Sequence, residues 1–479
     1  MIVDSRLLGN DKISLMPQGV YYAAPPWRFL NQVILLGFLT AALSLLFDPA
    51  MVLLVLSALI ILYLFFRFPE YGLYLLVFLY PLLGLRLIIF RVPDALYQYF
   101  PDGLDVPYVD LAALFLLFGF LARLIYLWLR GEATITARRF PLWPFFLAFY
   151  AISLLSAVNA EMPLLSIKYV ARPLFYFFAC FVFLPWNIID SRKIFYNTVK
   201  VFWATGALAA VSAVIYYFSA GVSLTRMVPA VVFSVDPWGV NWNLLAEIMV
   251  AVWPAGVILY YVSKWRRREI YLVGAFLMIF VGLLTFARTA WIAIAAQAVL
   301  WLAFEYRGRI KKMIPYFLIA AVLLLPVMGY MYIISTGSAV ESSTVARLAL
   351  TGISWYLFTL HPVIGNGAGT FIDNLGSVSY FTRDFGEPLD AHGFSQKLIA
   401  EEGILGLAAF GLLLLMVLWK VFREYLIPEK LIEEKVIFFF FLTAIGSVIY
   451  QFFNTQYYSS KLWVPLGLAL VASRLGRRE

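Results

Sequence analysis

The sequence predicts an all-α, polytopic integral membrane protein of about 12–14 transmembrane helices, and three observations support this fold class. Of the 479 residues, 63% are hydrophobic, whereas soluble globular domains are about half apolar. Only 13% of the residues are charged. The apolar residues also fall in runs of about twenty, the length that crosses the hydrocarbon core of a bilayer. A β-barrel would show short segments of alternating polarity instead.

Fourteen apolar runs give the predicted spans. Four of them are short enough to be re-entrant or interfacial, so a count of twelve is also compatible with the sequence. The runs are residues 29–47, 49–66, 70–90, 109–129, 141–158, 168–186, 198–219, 243–263, 269–285, 289–305, 313–335, 403–422, 434–453 and 460–474.

Lys and Arg are concentrated in a subset of the connecting segments. Examples are "KWRRRE" at residues 264–269 and "EYRGRIKK" at residues 305–312. Because cytoplasmic loops carry such an excess, both termini are predicted to be cytoplasmic and the polar segment after residue 335 to face outward. The net charge of +9 is assigned to these loops and to anionic lipid rather than to nucleic acid. The mixed polar N-terminus does not resemble a cleavable signal peptide.

These assignments divide the chain into four predicted segments. They are a cytoplasmic segment 1–28, a transmembrane bundle 29–335, an extracytoplasmic loop 336–402, and C-terminal helices with a short cytoplasmic tail 403–479. The loop is the only large hydrophilic feature, so we expect the function there. Its residues 343–362 repeat apolar side chains at helical spacing, which predicts an amphipathic helix on the membrane surface. "GNGAG" at 365–369 predicts a flexible turn, without the strand–turn–helix context of a dinucleotide site.

Cations in outward-facing segments are informative because the positive-inside rule does not account for them. Arg288 lies at a tight turn between two apolar spans, where a guanidinium is costly unless it is paired; snorkelling to lipid headgroups is the alternative. Arg347 opens the amphipathic helix. Two arginines here suit a phosphate or pyrophosphate, which arginine binds bidentately. Arg172, about one turn into the sixth span, is a third candidate, with Glu161 or a backbone carbonyl as its alternative partner.

The chain has two histidines. His361 precedes a proline at a predicted helix end, where we expect it to cap or to pack. His392 lies in an acidic loop just before the chain re-enters the bilayer. Nearby cations disfavour imidazolium, so this ring is expected to be neutral and able to act as a general base. Lys397 and Glu401 are four residues apart and are expected to pair along one helix face.

Metal-dependent and covalent chemistries fit the sequence poorly. Two distant histidines and Cys180, which lies in an apolar run, provide neither a zinc set nor an intrachain disulfide. Ser395 is close to His392 but in no nucleophile elbow. We therefore predict no metal and no cofactor. The loop acids are expected to be solvated rather than to hold a divalent cation; they are Asp373, Asp384, Glu387 and Asp390.

Four stretches together resemble the O-antigen ligase and polymerase superfamily of bacterial envelope glycosyltransferases. Motif order, spacing and the large loop agree over roughly residues 200–475, whereas the first six spans look generic. Two positions depart from the usual pattern: Gly393, where Asn is often seen, and Lys397, where a neutral polar residue is common. The stretches are "NWNLLAEIMVAVWP" (241–254), "TFARTAWIA" (285–293), "ARLALTGISWYLFTLHPVIGNGAGTF" (346–371) and "HGFSQKLIAEEGILGLAAF" (392–410).

The resemblance implies a metal-independent glycosyltransferase with a GT-C-type helical fold. It would work at the outer face of the bacterial inner membrane on glycans carried by undecaprenyl pyrophosphate. By position, Arg288 and Arg347 would bind the pyrophosphate and His392 would be the base, and Arg172 is a further candidate for the pyrophosphate. Direct displacement would invert the anomeric carbon. The candidate supporting residues are Asn243, Lys397 and Glu401.

The acceptor separates the alternative functions. The leading interpretation is a ligase that transfers the glycan to a hydroxyl of lipid A–core. A polymerase, with a second lipid-linked repeat as acceptor, shares the donor chemistry and is the closest alternative, and a protein O-oligosaccharyltransferase is a third. A transporter of lipid-linked glycans would favour internal repeats and charged or broken helices at the midplane. The sequence shows no clear repeat, and its ionisable residues gather at the outer edge.

Overall fold

The computed structural model is nearly all helical, which confirms the predicted fold class of a polytopic membrane protein. Residues 1–63 and 64–479 form separate compact units, and the candidate site lies in the second. The predicted spans 29–47 and 313–335 fall almost wholly outside the described residues. The structure describes residues 49–89, 104–131, 138, 140, 142–176, 178–219, 226–232, 234–264, 266–305, 315, 329, 338–376, 381, 383, 390–427, 431–454 and 457–476.

The helices follow the predicted apolar runs closely, because a helix satisfies all of its backbone polar groups within the segment. Among the described residues, six helices are long and apolar enough to cross a membrane, or seven if Val55–Arg67 and Pro69–Leu79 count as one span. In chain order the helices are α1 Pro49–Arg67, α2 Pro69–Leu79, α3 Tyr108–Leu129, α4 Trp143–Ser156, α5 Pro163–Ile188, α6 Arg192–Ser219, α7 Trp242–Val262, α8 Glu269–Leu284, α9 Arg288–Glu305, α10 Ser338–Leu360, α11 Phe371–Gly376, α12 Phe394–Glu401, α13 Gly403–Tyr425, α14 Leu431–Phe452 and α15 Ser460–Leu475.

The predicted span 70–90 is wrong in its second half. Helix α2 ends at Leu79, and strand β1 (Arg86–Ile89) then pairs antiparallel with strand β2 (Leu104–Pro107). Pro81 lacks the N–H group that would continue the helix, so the apolar run changes to extended backbone. Hydrophobicity alone does not show where the helix ends and the strand begins.

The bundle is centred on α7, α14 and α15, whose apolar residues are buried on most sides. Gln297 of α9 joins two of these helices. Its amide oxygen accepts from the Trp253 indole N–H at 2.8 Å. Its amide nitrogen donates to the carbonyls of Val250 at 3.0 Å and Leu442 at 2.8 Å. The polar atoms of this buried side chain are therefore satisfied, as an apolar interior requires.

A buried ion pair lies between α7 and α15. The Lys461 Nζ is 3.7 Å from the Glu247 Oε2, and both side chains are at most 3% exposed. Gln451 of α14 donates to the other Glu247 oxygen. Lys461 lies at the start of the predicted span 460–474, and its charge is tolerated inside the bundle because Glu247 provides the opposite charge.

A second, smaller core stabilises the segment between α10 and α13. Helix α10 is the predicted amphipathic helix; it begins earlier than the predicted 343–362 and ends at Leu360. Its buried face, with Leu350, Ile353 and Leu357, packs against Phe371 and neighbouring side chains. Its opposite face exposes apolar side chains, and contact of that face with a membrane surface stays a prediction. These exposed residues are Val345, Leu348, Trp355 and Tyr356.

Replacing Gly467 by alanine should destabilise the bundle. A Cβ atom at this position of α15 would lie 2.2 Å from the carbonyl oxygen of Phe181 in α5. Since backbone cannot move aside as a flexible side chain can, we expect a loss of roughly 1–3 kcal/mol, the usual cost of overpacking. Thermal unfolding of the purified protein in detergent measures this loss.

Gly411→Ala is the matched control, because a Cβ atom at this position of α13 meets no atom within 4 Å. An equal loss of stability in both variants would contradict the close packing of α15 on α5.

Candidate functional site

The glycine-rich segment 365–369 is a fixed loop rather than the predicted flexible turn. Gly365, Gly367 and Gly369 have positive φ angles of 74°, 109° and 77°. A Cβ atom on Gly365 would lie 2.3 Å from the carbonyl of Glu401, and one on Gly369 would lie 2.3 Å from the ring of Tyr169. Glycine is therefore required here both for the left-handed backbone and for the close approach.

Helix α12 holds this loop through backbone hydrogen bonds at its end. The N–H of Asn366 donates to the carbonyl of Ala400 at 3.2 Å, and the N–H of Gly367 donates to the carbonyl of Glu401 at 2.8 Å. The Asn366 side chain also donates to the Ala400 carbonyl at 2.8 Å. Carbonyls at a helix C-terminus lack intrahelical partners, so the loop and the helix satisfy each other.

The Glu401 carboxylate is the main side-chain support of the loop. One oxygen accepts from the N–H of Gly369 at 2.8 Å and the other accepts from the N–H of Phe371 at 2.9 Å. Burial raises the pKa of Glu401 to about 7, although Lys397 and these two N–H groups favour the charged form. Burial thus destabilises the charged carboxylate, and the hydrogen bonds and the nearby ammonium partly offset this destabilisation.

Lys397 forms the pair that the four-residue spacing predicts. Its Nζ is 3.7 Å from Glu401 and 2.8 Å from Asp390. The ammonium also lies 5.6 Å and 5.2 Å from the ring centres of Tyr169 and Tyr458. Burial disfavours this charge, but the surrounding acids outweigh burial, so the pKa of Lys397 is raised. Lys397 is therefore a buried, fully charged member of the support.

Helix α4 and the residues after it hold the same loop from the opposite side. The Ser156 hydroxyl accepts from the N–H of Ala368 at 2.9 Å, and the Asn159 amide donates to the carbonyl of Gly365 at 2.8 Å. The Ser153 hydroxyl donates to the Glu402 carboxylate at 2.7 Å. Burial raises the pKa of Glu402 to about 8, against the effect of Ser153. The predicted generic N-terminal half thus contacts the site directly.

His392 is connected to α10 through Gln396. The backbone N–H of His392 donates to the Gln396 amide oxygen at 3.3 Å. The Gln396 amide nitrogen donates to the Thr351 hydroxyl at 2.8 Å, and that hydroxyl donates to the Arg347 carbonyl at 2.8 Å. Sequence analysis overlooked Gln396. Its position four residues after His392, at the start of α12, is the signal that could have identified it.

Arg347 lies within electrostatic reach of both Arg288 and His392. Burial lowers the pKa of Arg347, and the charge of Arg288 lowers it further. Burial also lowers the pKa of His392, the charge of Arg347 adds to this, and Asp390 opposes it. The fold therefore brings together two arginines and one histidine that are 104 residues apart in sequence at most. The two guanidinium groups repel each other, so an anion bound between them would be stabilised.

The turn before Arg288 orients α9. Phe286 has a φ of 56°, an uncommon value for a residue with a side chain. The Thr285 hydroxyl accepts from the N–H of Ala287 at 3.3 Å and donates to the carbonyl of Gly282 at 2.7 Å. Arg288 then begins α9 with an exposed side chain. A fixed turn thus sets the starting position of the arginine.

Other predicted site residues occupy different places. Arg172 lies in π-helical turns at Val170–Tyr176, and its side chain is outside the described part of the structure. The Asn243 carbonyl accepts from the Tyr450 hydroxyl at 2.6 Å. His361 is exposed, and its carbonyl rather than its ring accepts from the N–H of Gly365 at 2.9 Å. Asp384 and Glu387 lie outside the described residues.

The two departures from the family pattern have structural reasons. A Cβ atom on Gly393 would lie 2.8 Å from the carbonyl oxygen of Phe452 at the end of α14, so a larger residue does not fit without movement. Lys397 has Asp390 and Glu401 as partners. Asp390 was expected to be solvated, and this expectation is wrong because Lys397 binds both of its oxygens. Within the described ranges, no group of three His, Cys, Asp or Glu residues could hold a metal ion.

Comparison with known proteins confirms the resemblance. Residues 273–411 match the family model described as O-antigen ligase. The matched range includes Arg288, Arg347 and His392, together with the glycine-rich loop and α12. A search of curated proteins found no match for the chain. The match to this family indicates a membrane enzyme of the ligase or polymerase type. It also indicates lipid-linked glycans as the general class of substrate.

Glu401→Ala should destabilise the loop and α12. The variant leaves Lys397 with one fewer acid and leaves the N–H groups of Gly369 and Phe371 without the acceptor described above. Breaking a buried pair typically costs roughly 3–5 kcal/mol. Unfolding in detergent, together with limited proteolysis between residues 361 and 402, measures the change.

Glu269→Ala is the control, because the Glu269 side chain is 66% exposed and its contact with Arg268, at 3.9 Å, lies on the surface. A Glu401→Ala protein as stable and as protease-resistant as this control would contradict the supporting role of Glu401.

Proposed function

We propose that this protein transfers a glycan from undecaprenyl pyrophosphate to an acceptor hydroxyl at the outer face of the bacterial inner membrane. The observation that carries the proposal is the electrostatic proximity of Arg347 to both Arg288 and His392. The leading reaction is that of a ligase, with lipid A–core as acceptor. A polymerase that uses a second lipid-linked repeat shares every step on the donor side.

The two arginines bind the pyrophosphate. Each guanidinium offers a planar fork of donors that matches phosphate oxygens. As the bond between the anomeric carbon and the pyrophosphate oxygen breaks, negative charge grows on that oxygen. Cations already in place stabilise this charge more than they stabilise the ground state, which lowers the barrier. The pyrophosphate leaves as a stable anion, so the reaction needs no strong general acid.

His392 removes the proton from the acceptor hydroxyl. A base must be unprotonated before it can act, and burial together with Arg347 lowers the pKa of His392. Asp390 would oppose this effect, but Lys397 engages both of its oxygens at 2.9 and 2.8 Å. The buried lysine therefore limits the stabilisation of imidazolium by the nearby acid. Direct attack of the acceptor oxygen then inverts the anomeric carbon.

The rest of the chain has positioning roles in this proposal. The segment 336–402 is the catalytic loop, and it faces outward if the Lys- and Arg-rich connections are cytoplasmic. Glu401 and Lys397 support the loop without contacting substrate. Arg172 is a further proposed pyrophosphate ligand, and Asn243 a supporting residue. Both termini are then cytoplasmic.

His392→Ala and Arg288→Ala should each lower glycan transfer by about 10²–10³-fold, the usual effect of losing a general base or an oxyanion-stabilising group. The assay uses the purified protein in proteoliposomes with a defined undecaprenyl-pyrophosphate-linked glycan. Lipid A–core and a second lipid-linked repeat are supplied in separate reactions, so the product identifies the acceptor.

Arg268→Ala is the control for the loss of one arginine, because Arg268 is exposed beside Glu269 at the other end of α8. Near-wild-type transfer by His392→Ala or Arg288→Ala would contradict the role given to that residue. Retention of configuration at the anomeric carbon would contradict direct displacement.

Arg347→Gln should shift the acid side of the pH–rate profile to higher pH. Transfer falls as the pH drops through the pKa of His392, because only the neutral ring is a base. Arg347 lowers that pKa, so removal of its charge raises the pKa. Profiles of kcat/KM against pH for both proteins measure the shift.

Arg347→Lys separates charge from geometry. The lysine keeps the positive charge, so the acid limb should stay close to that of the wild type. Transfer should still fall, because an ammonium does not reproduce the guanidinium fork. Identical pH profiles for the Gln and Lys variants would disprove the electrostatic coupling to His392.

A further inference from the structure

A cavity of about 580 Å³ lies beside the loop and the tyrosine rings that contact Lys397. This volume falls within the ~300–1,000 Å³ range of small-molecule sites. Tyr169, Tyr458 and Gly369 line it, and these three residues also contact Lys397 or Glu401. Part of the cavity wall therefore contacts the support of the proposed catalytic loop.

The charged side chains of the cavity balance each other. Arg86 from β1 and Lys168 from α5 line it together with Asp110 from α3 and Asp373 from α11. Two cations and two carboxylates give no net formal charge. A pyrophosphate is better accommodated by Arg288 and Arg347, which form no ion pair within the described part of the chain, because an anion gains most where positive charge is in excess.

The remaining lining suits a saccharide. Ser459 and Ser460 border the cavity, and the rings of Tyr169 and Tyr458 provide apolar surface next to them. Carboxylates accept hydrogen bonds from sugar hydroxyls, while Arg and Lys donate to them. A ligand with many hydroxyl groups and no concentrated charge matches this mixture of donors, acceptors and aromatic rings.

The origin of the lining indicates which saccharide occupies the cavity. Arg288, Arg347 and His392 all lie inside the matched range 273–411. Arg86, Asp110 and Lys168 lie before that range, and Tyr458–Ser460 lies after it. The two main pyrophosphate ligands and the proposed base thus lie inside the matched range, whereas most of the cavity is built by parts of the chain outside it. Such parts are free to differ with the acceptor.

We propose that this cavity is the acceptor subsite and binds a saccharide unit of the acceptor glycan next to the Lys397 and Glu401 support. The inference rests on the proposed function, and it assigns a task to α3, α5 and the β1–β2 hairpin, which the sequence motifs leave without one. Asp373 on α11 and Tyr458 before α15 complete the lining of the cavity.

Cysteine protection tests binding without turnover. Cys180 is the only cysteine of the chain and is buried, so Ile372→Cys introduces a single accessible thiol. Ile372 lines the cavity and is 43% exposed. The full-length variant is labelled with a maleimide in the presence of delipidated lipid A–core oligosaccharide, free repeat-unit oligosaccharide or inorganic pyrophosphate. Ser219→Cys, exposed at the end of α6 and not among the residues that line the cavity, is the control.

Slower labelling of Ile372→Cys with either oligosaccharide, and unchanged labelling of Ser219→Cys, supports the subsite. Labelling that neither oligosaccharide slows overturns it. Protection by pyrophosphate to the same degree also overturns it, because the cavity would then be an anion site. Since no bond is formed, inactivity in the transfer assay would contradict the proposed function without affecting this result.

Steady-state kinetics give a second measurement. Ile372→Trp partly fills the cavity and should raise the KM for the acceptor about tenfold or more, with the KM for the donor unchanged. Ile270→Trp, at an exposed isoleucine in the first turn of α8, is the matched control. A higher KM for the donor alone, or no change in either KM, would overturn the assignment.

Discussion

The buried carboxylate of Glu401 is the interaction on which the candidate site depends. It joins three parts of the chain, because it belongs to α12, accepts from two N–H groups of the glycine-rich segment, and lies 3.7 Å from Lys397. A carboxylate is suited to this position because its two oxygens accept several hydrogen bonds in different directions. Non-helical backbone near a membrane is stable only when its polar groups are satisfied. Glu401 and the carbonyls at the end of α12 provide that satisfaction.

Charge balance divides the site into two regions. On one side, Lys397 lies between Asp390 and Glu401, and its buried charge is compensated. On the other side, burial lowers the pKa of Arg347 and the charge of Arg288 lowers it further. The first region needs no ligand to balance its charge, and it holds the glycine-rich loop in place. The second gains most when an anion enters, which is the property expected of a binding site rather than of a structural one.

The sequence predicted the helices well and the loop only in part. Long apolar runs have one stable form in a membrane, so α3, α7, α8 and α13 begin and end close to their predicted positions. The β1–β2 pair was missed because the apolar residues of "LRLII" are compatible with a helix as well as with a strand. Arg288, Arg347 and His392 were identifiable because a cation or an imidazole is unusual in such surroundings. Gln396 and Asp390 were not identified, because their importance comes from partners brought near by folding.

The same physical rule explains why the Glu247–Lys461 pair was also overlooked. A charge inside a helical bundle is tolerated when an opposite charge lies within a few ångströms, and that distance depends on helix packing rather than on spacing in one helix. Lys461 follows directly after Ser460, whose hydroxyl donates to the carbonyl of Tyr80 at 2.7 Å. The pair and this hydrogen bond together fix the start of α15, and with it Tyr458 beside Lys397. The packing of the bundle therefore determines the geometry of the loop that the motifs describe.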